Sequence, residues 1–321
     1  MQQLKSQPGN ETAQSLRVVS FEPSHSWLKR HDDEGTLVIQ AGYVVNPTGR
    51  FKKDDENPLV IDGGIRRWYG TNACENDHVS PLYSRKETTV VDSFKACLRP
   101  TDNGRNLHVV VSHWDEETAH QMAQSLRGSY RVTRNGENIW CNVIDVTPEL
   151  EGMGAYYLCK PYLKKGKTML IEMGHGTSEE WVIDSDGFAS GKASEELAVS
   201  KLVKRIADDP QITAQALKLG EQQVNHDLIA RALKSGSIGS MPIEKWQVIK
   251  GQHVEEWLSA LKGYILKGHG STLQNVSNIV FSGGGAALVA SRLRAFAVVP
   301  DDPQTASVRG AYQHHHEKIH G

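Results

Sequence analysis

Cysteine is scarce and unpatterned. The four residues Cys74, Cys97, Cys141 and Cys159 show no C-x-x-C spacing, which argues against a zinc site or a disulfide framework and fits a reducing cytosol. No apolar run approaches the roughly 18 residues that span a bilayer, and the polar N-terminus lacks a signal-peptide pattern, so a soluble, cytoplasmic protein with no membrane contact is expected. Neither sign of charge is in excess, with 36 Lys and Arg against 38 Asp and Glu. That balance gives no global attraction to nucleic acid or to an anionic membrane. Direct DNA binding is not expected, and any link to DNA would run through a partner.

What is present is length and pattern. A chain of 321 residues exceeds what one hydrophobic core usually accommodates, so two α/β domains with a cleft between them are expected. Residues 1–15 are polar and without periodicity, and read as a flexible tail. Short β-type runs follow at Arg17 to Phe21, Leu37 to Val45, Leu59 to Asp62, Leu107 to Ser112 and Ile139 to Val146. A helix opens after Asp115, with Glu116 and Glu117 in its first turn, and ends by Gly128. Further on, helical periodicity predicts Ser194 to Asp208, Glu221 to Lys234, Val254 to Leu266, Ala286 to Phe296 and Ala306 to Glu317.

Two glycine turns, each launched by a hydrophobic strand, carry the chemistry. Thr168 to Met173 runs into Gly174-His175-Gly176-Thr177 and then into a second strand, Glu180 to Asp184. A P-loop or a dinucleotide fingerprint would need a helix at that point. A hairpin whose tight turn wraps a phosphate fits instead, with Glu172 facing a metal and Thr177 offering a hydroxyl. The second turn, Ser282-Gly283-Gly284-Gly285-Ala286, opens a helix whose first N–H groups suit a ribose or phosphate. Nearer the N-terminus, a strand ends at Glu22, passes Ser24, His25 and Ser26, and returns with Lys29 seven positions later.

In this order the three segments resemble the nucleotide site of the actin-like ATPase superfamily, and most closely the plasmid-segregation actins of the ParM/StbA type. The family's first hairpin, Asp-x-Gly-Asn/Ser-x-x-x-Lys, is matched by Glu22, Ser24, His25 and Lys29. Its second, Asp-x-Gly-Gly-x-Thr, is matched by Glu172, Gly174, His175, Gly176 and Thr177, and its adenosine motif by Gly283 to Ala286. Pro148-Glu149, followed by Gly154, is similar to the family's Pro-Glu segment. The resemblance implies an α/β actin-like two-domain fold with duplicated mixed sheets, spanning residues 16–165 and 166–300, and a C-terminal helix, 301–321, returning to the first domain.

It further implies ATP or GTP with Mg2+ in the cleft, Lys29 and the hairpin amides on the phosphates, and Glu149 placing the attacking water, with Glu151 its nearby competitor. Self-association into helical filaments would move plasmids through an adaptor protein bound to plasmid DNA. Glu22 and Glu172 stand where the family has aspartates, each moving its carboxylate out by about 1.5 Å. Magnesium held through its waters tolerates that better than direct ligation does. Pro23 and Ser24 replace a glycine of the first turn, which leaves weak hydrolysis open. A nucleotide-binding structural filament with little hydrolysis and a small-molecule kinase of the same superfamily are the rival readings. His175 reads either as a phosphate donor or as a tolerated turn residue. His314, His315, His316 and His320 read as a solvated helix end or, less simply, a transition-metal site. Trp27, Trp246 and Trp257 read as core or subunit-contact residues.

Overall fold

In this computed structural model the described residues are 16–24, 26–49, 51–75, 79–81, 86–195, 197–218 and 224–321, side chains 268–273 excepted. The expected tail and His25 lie outside them. Among the described residues, fourteen strands form two sheets. The first contains β1 (Arg17–Pro23), β2 (Trp27–Asp32), β3 (Gly35–Gln40), β4 (Gly42–Val45), β5 (Leu59–Asp62), β6 (Ile65–Tyr69), β7 (Ser80–Pro81), β8 (Asn106–His113), β9 (Gly128–Arg134) and β10 (Glu137–Leu150). Their order is β3-β2-β1-β8-β10-β9-β5-β6-β4-β7. The second contains β11 (Lys167–Met173), β12 (Ser178–Ile183), β13 (Ala189–Ser194) and β14 (Val276–Ser282), in the order β13-β12-β11-β14.

Among the described residues the α-helices are α1 (Thr71–Cys74), α2 (Lys86–Cys97), α3 (Glu116–Leu126), α4 (Met153–Cys159), α5 (Val199–Ala207), α6 (Pro210–Lys218), α7 (His226–Ser235), α8 (Ile243–Leu273), α9 (Gly283–Leu293) and α10 (Ala306–His320). The strands β1, β8 and β10 run parallel, as do β11 and β14. Parallel strands are covered on both faces and therefore read as continuous apolar runs, which is why β8 and β11 are each buried at all but their first residue.

The two-residue alternation of a strand decides which layer each side chain meets. Val19, Phe21, Val109 and Val111 join a core with Val90 and Phe94 of α2 and Met122 and Leu126 of α3. Their neighbours Val18 and Val110 face the other way, onto Ala311 of α10. In the second sheet Met169, Ile171 and Met173 pack with α5, α7, α8 and α9, whereas Leu170 and Val280 pack with Met153, Ala155 and Cys159 of α4. Helices α4 and α10 thus form the layer between the two sheets. They cross at a pair of glycines, since a Cβ on Gly154 would lie 1.8 Å from the Ser307 carbonyl and one on Gly310 would lie 1.8 Å from the Gly154 carbonyl.

Several expected elements differ from those observed. The helix expected from Ser194 begins at Val199, because Ala189–Ser194 is instead a strand with Ser194 opposite Ser178. The run Leu37 to Val45 breaks at Ala41 into two strands with different partners, β2 and β6. The helix expected at Val254 to Leu266 is the middle of a longer one, α8, whose Trp246, Ile249, Trp257 and Leu261 share one buried stripe. Asp115 caps α3 as expected, accepting a hydrogen bond from the Thr118 N–H at 2.8 Å.

Candidate functional site

The two hairpins have the same internal register. In β1–β2, Glu22 lies opposite Lys29; in β11–β12, Glu172 lies opposite Glu179. Both first-strand acids stand at the carboxyl ends of parallel strands, the place where α/β sheets bind ligands. Between them opens a cavity of about 730 Å³, lined by Glu22, Ser24, Ser26, Lys29, Glu172, Gly174, His175, Gly176, Thr177 and Gly284, all expected from sequence. Trp27, Glu151 and Asp227 also line it, so Trp27 is a wall of the cavity, while Trp246 and Trp257 are core.

Among the described residues, four of those expected do not line it. Gly283 has φ +89°, and a Cβ there would meet the Met173 carbonyl at 2.6 Å; at Gly285 a Cβ would meet Met173 Cβ at 2.8 Å. These two glycines permit α9 to start flush against the end of β11. Only Gly284, with nothing within 4 Å of its Cβ position, opens toward the cavity, and Ala286 is core. Glu149 is the fourth: its Oε2 accepts hydrogen bonds from Tyr157 Oη at 3.2 Å and His315 Nε2 at 3.1 Å, on the side of α4 and α10. The acid that does reach the cavity is Glu151, two residues on.

The histidine run is likewise not a solvated end. His315 is buried against Glu149, and His314 stacks on Tyr157 with ring centroids 3.9 Å apart. His316 and His320 border a second cavity of about 470 Å³ beside Arg17 and Tyr312.

Electrostatically the site is a cluster of buried acids around two buried lysines. Lys29 Nζ donates to Glu22 Oε1 at 2.5 Å, and Lys86 Nζ donates to Glu151 Oε2 at 3.3 Å. Burial lowers the Lys29 pKa, but Glu22, Glu172 and Glu151 outweigh it, so the ammonium stays charged. Burial raises Glu151, yet Lys86, His113 and Lys29 together hold it below the usual carboxylate range. Glu172 has the opposite balance: burial, with Glu22 and Glu151 nearby, pushes it up to about 8 despite Lys29. Glu179, buried and accepting from the Thr177 hydroxyl, is also pushed up by burial and by Glu151. Burial lowers His175, which is therefore neutral near pH 7.

Around the cavity, Oε2 of Glu22, of Glu172 and of Glu179 are buried without a hydrogen-bond partner among the described residues. A cation bound there would favour the ionised forms of Glu172 and Glu179 and occupy these orphaned oxygens, and the all-oxygen donor set suits Mg2+. Among the described residues, the group of three acids whose ligand atoms lie within 4.8 Å of one another is Asp32, Asp33 and Glu34, which Arg17, Arg30 and Arg99 already neutralise. The cavity acids are spread more widely, a spacing that suits a cation held through its own waters. The glycine turn suits an anion: the carbonyls of Gly174 and His175 accept from the N–H groups of Val199 and Ser200, so what the turn has left to offer is its amides.

The raised Glu172 has a consequence for stability. A carboxyl whose folded pKa exceeds its unfolded value binds more protons when folded, so its contribution is full below the unfolded pKa of 4.5 and is lost as pH rises toward about 8. Without ligands, Glu172 is expected to subtract stability progressively from pH 5 to pH 8, against the opposite contribution of the buried histidines, so Glu172→Gln should gain in melting temperature relative to the native protein as pH rises. Parallel slopes for the two proteins in thermal melts would contradict the assignment.

No family model matches the sequence, and no curated protein matches it. Solved structures do. The archaeal actin homologue Ta0583 superimposes with TM-score 0.74 at 18% identity, covering 94% of this chain and 99% of that one. The same protein in complex with ADP gives 0.73 at 16% identity, with the same coverage. The chain has the actin-like fold. A ParM from a 15-stranded filament of Clostridium botulinum also gives 0.73, at 13% identity, covering 94% of this chain and 99% of that one. The actin-like fold was legible from two glycine turns and the Glu22 to Lys29 segment. Glu179 and Lys86 were not recognised as site residues. The seven-residue spacing from Glu172, equal to that from Glu22 to Lys29, was the available signal for Glu179, and Lys86 had none.

Proposed function

We propose that this chain binds ATP or GTP with Mg2+ in the cavity between its sheets, hydrolyses it slowly, and assembles head to tail into helical filaments. The observation that carries this reading is the convergence of two equivalent hairpins and the start of α9 on one cavity with unpaired buried carboxylate oxygens. Lys29 and the amides of residues 174–177 would hold the phosphates. Glu22 and Glu172 would hold the cation through waters, with Glu179 beneath them. Bound there, the cation supplies charge neutralisation at the phosphate oxygens. Glu151, ionised and in the cavity, would orient the attacking water in place of Glu149.

Support for assembly comes from the neighbours in fold, one of which is a ParM filament. A heterologous contact that does not close into a ring gives such a polymer. Plasmid segregation through an adaptor bound to plasmid DNA is the proposed use. One observation favours the second reading, a filament with little hydrolysis: Lys29 is held by Glu22 at 2.5 Å and must be shared with the phosphates.

The test is sedimentation of purified protein with ATP and Mg2+, with ADP, and without nucleotide. Pelleting only with ATP is expected, and Lys29→Ala should raise the threshold concentration at least tenfold, the scale of losing one charge-assisted contact. Pelleting indifferent to nucleotide would refute the coupling, and an unchanged threshold for Lys29→Ala would remove Lys29 from the site.

A further inference from the structure

Glu149 sits two residues before the acid that reaches the cavity, and every polar atom of its side chain is committed elsewhere. Oε1 accepts from the Leu150 N–H at 3.2 Å, and Oε2 accepts from both Tyr157 Oη and His315 Nε2. The side chains of Glu149 and His315 are 15% and 10% exposed. Helix α10 grips the same stretch of chain at further points. Ser307 Oγ accepts from the Gly152 N–H at 3.3 Å, Gly310 meets Gly154, and His314 stacks on Tyr157. Gly152, with φ +88°, turns the chain from β10 into α4 directly after Glu151.

We propose that Glu149 is a positioning residue for hydrolysis: tied to α4 and α10, it fixes the strand end from which Glu151 reaches into the cavity. This rests on the reading of Glu151 as the acid that orients water. A carboxylate held by two donors on two helices defines one position for the end of β10, and a shift of the order of 1 Å there is enough to slow a reaction that depends on alignment. The C-terminal helix thereby becomes part of the catalytic geometry without touching the nucleotide.

The experiment compares Glu149→Ala, Glu149→Gln and His315→Ala, measuring single-turnover phosphate release at saturating ATP together with the dissociation constant for a fluorescent ATP analogue. Glutamine keeps an oxygen to accept from Tyr157 and His315, so E149Q should stay within about threefold of the native rate. E149A and H315A should each slow release about tenfold with affinity unchanged within twofold. If E149Q is as slow as E149A, the carboxylate acts directly and the proposal fails; it fails equally if H315A or E149A hydrolyses at the native rate. Should E149A not fold, E149Q and H315A decide alone. Glu151→Gln, run alongside, tests the underlying reading separately: native turnover in that variant would overturn the role of Glu151 whatever position 149 does.

Discussion

Glutamine at position 151 is expected to cut phosphate release about 100-fold, or about 2.7 kcal/mol of transition-state stabilisation, with ATP affinity within twofold of native. The size follows from the environment. Glu151 is 5% exposed yet lines the cavity, and Lys86, His113 and Lys29 keep it ionised against the pull of burial. It therefore offers an acceptor throughout the neutral range, the property a water-orienting group needs. The amide preserves shape and removes the charge. It also leaves the Lys86 ammonium buried without its counter-ion, so a lower melting temperature should accompany the slower rate. Adding Lys86→Met to Glu151→Gln separates the two effects: stability should recover while the rate stays low. Rate recovering with stability would assign the loss to packing and remove Glu151 from the chemistry.

Leucine at position 154 is expected to abolish the native fold. Gly154 lies where α4 crosses α10, and a Cβ there would fall 1.8 Å from the Ser307 carbonyl and 2.6 Å from the Ala311 nitrogen. Both are backbone atoms of one helix, so relief requires α10 to move bodily. Because α10 also packs through Ala311 on Val18 and Val110 of the first sheet, moving it opens a second core. Overpacking against rigid backbone belongs to the tail of substitutions costing more than about 4 kcal/mol, close to the whole stability of many domains. Insoluble or molten protein is the expected outcome on expression. A cooperative melt within a few degrees of native would show that the glycine crossing is not what brings the two helices together.

These two positions mark how far the sequence could be read. The hairpins were legible because a strand ending in an acid and small residues is a local pattern, and Glu22 with Lys29 and Glu172 with Thr177 express it within eight residues. The capping of α3 by Asp115 was legible for the same reason. What escaped depends on register or on distant packing. Glu149 and Glu151 are equivalent in composition, and only the end of β10, set by Tyr157 and His315 on two other helices, decides which acid faces the cavity. The strand β13 was missed because Ala189–Ser194 has no apolar alternation; it is placed by pairing with β12 at the sheet edge. Lys86 comes from a helix far from either hairpin, and the roles of Gly283 and Gly285 are set by their contact with Met173.

The central claim is that one nucleotide is held at the convergence of the two hairpins and the first turn of α9, and equilibrium dialysis of ATP with Mg2+ tests it most directly. Native protein should take up ATP saturably, one per chain. Gly284→Trp, whose side chain would project into open space toward the cavity, should lose that uptake while melting at the native temperature. Absence of saturable binding in the native protein, or undiminished binding in a well-folded Gly284→Trp variant, would contradict the account.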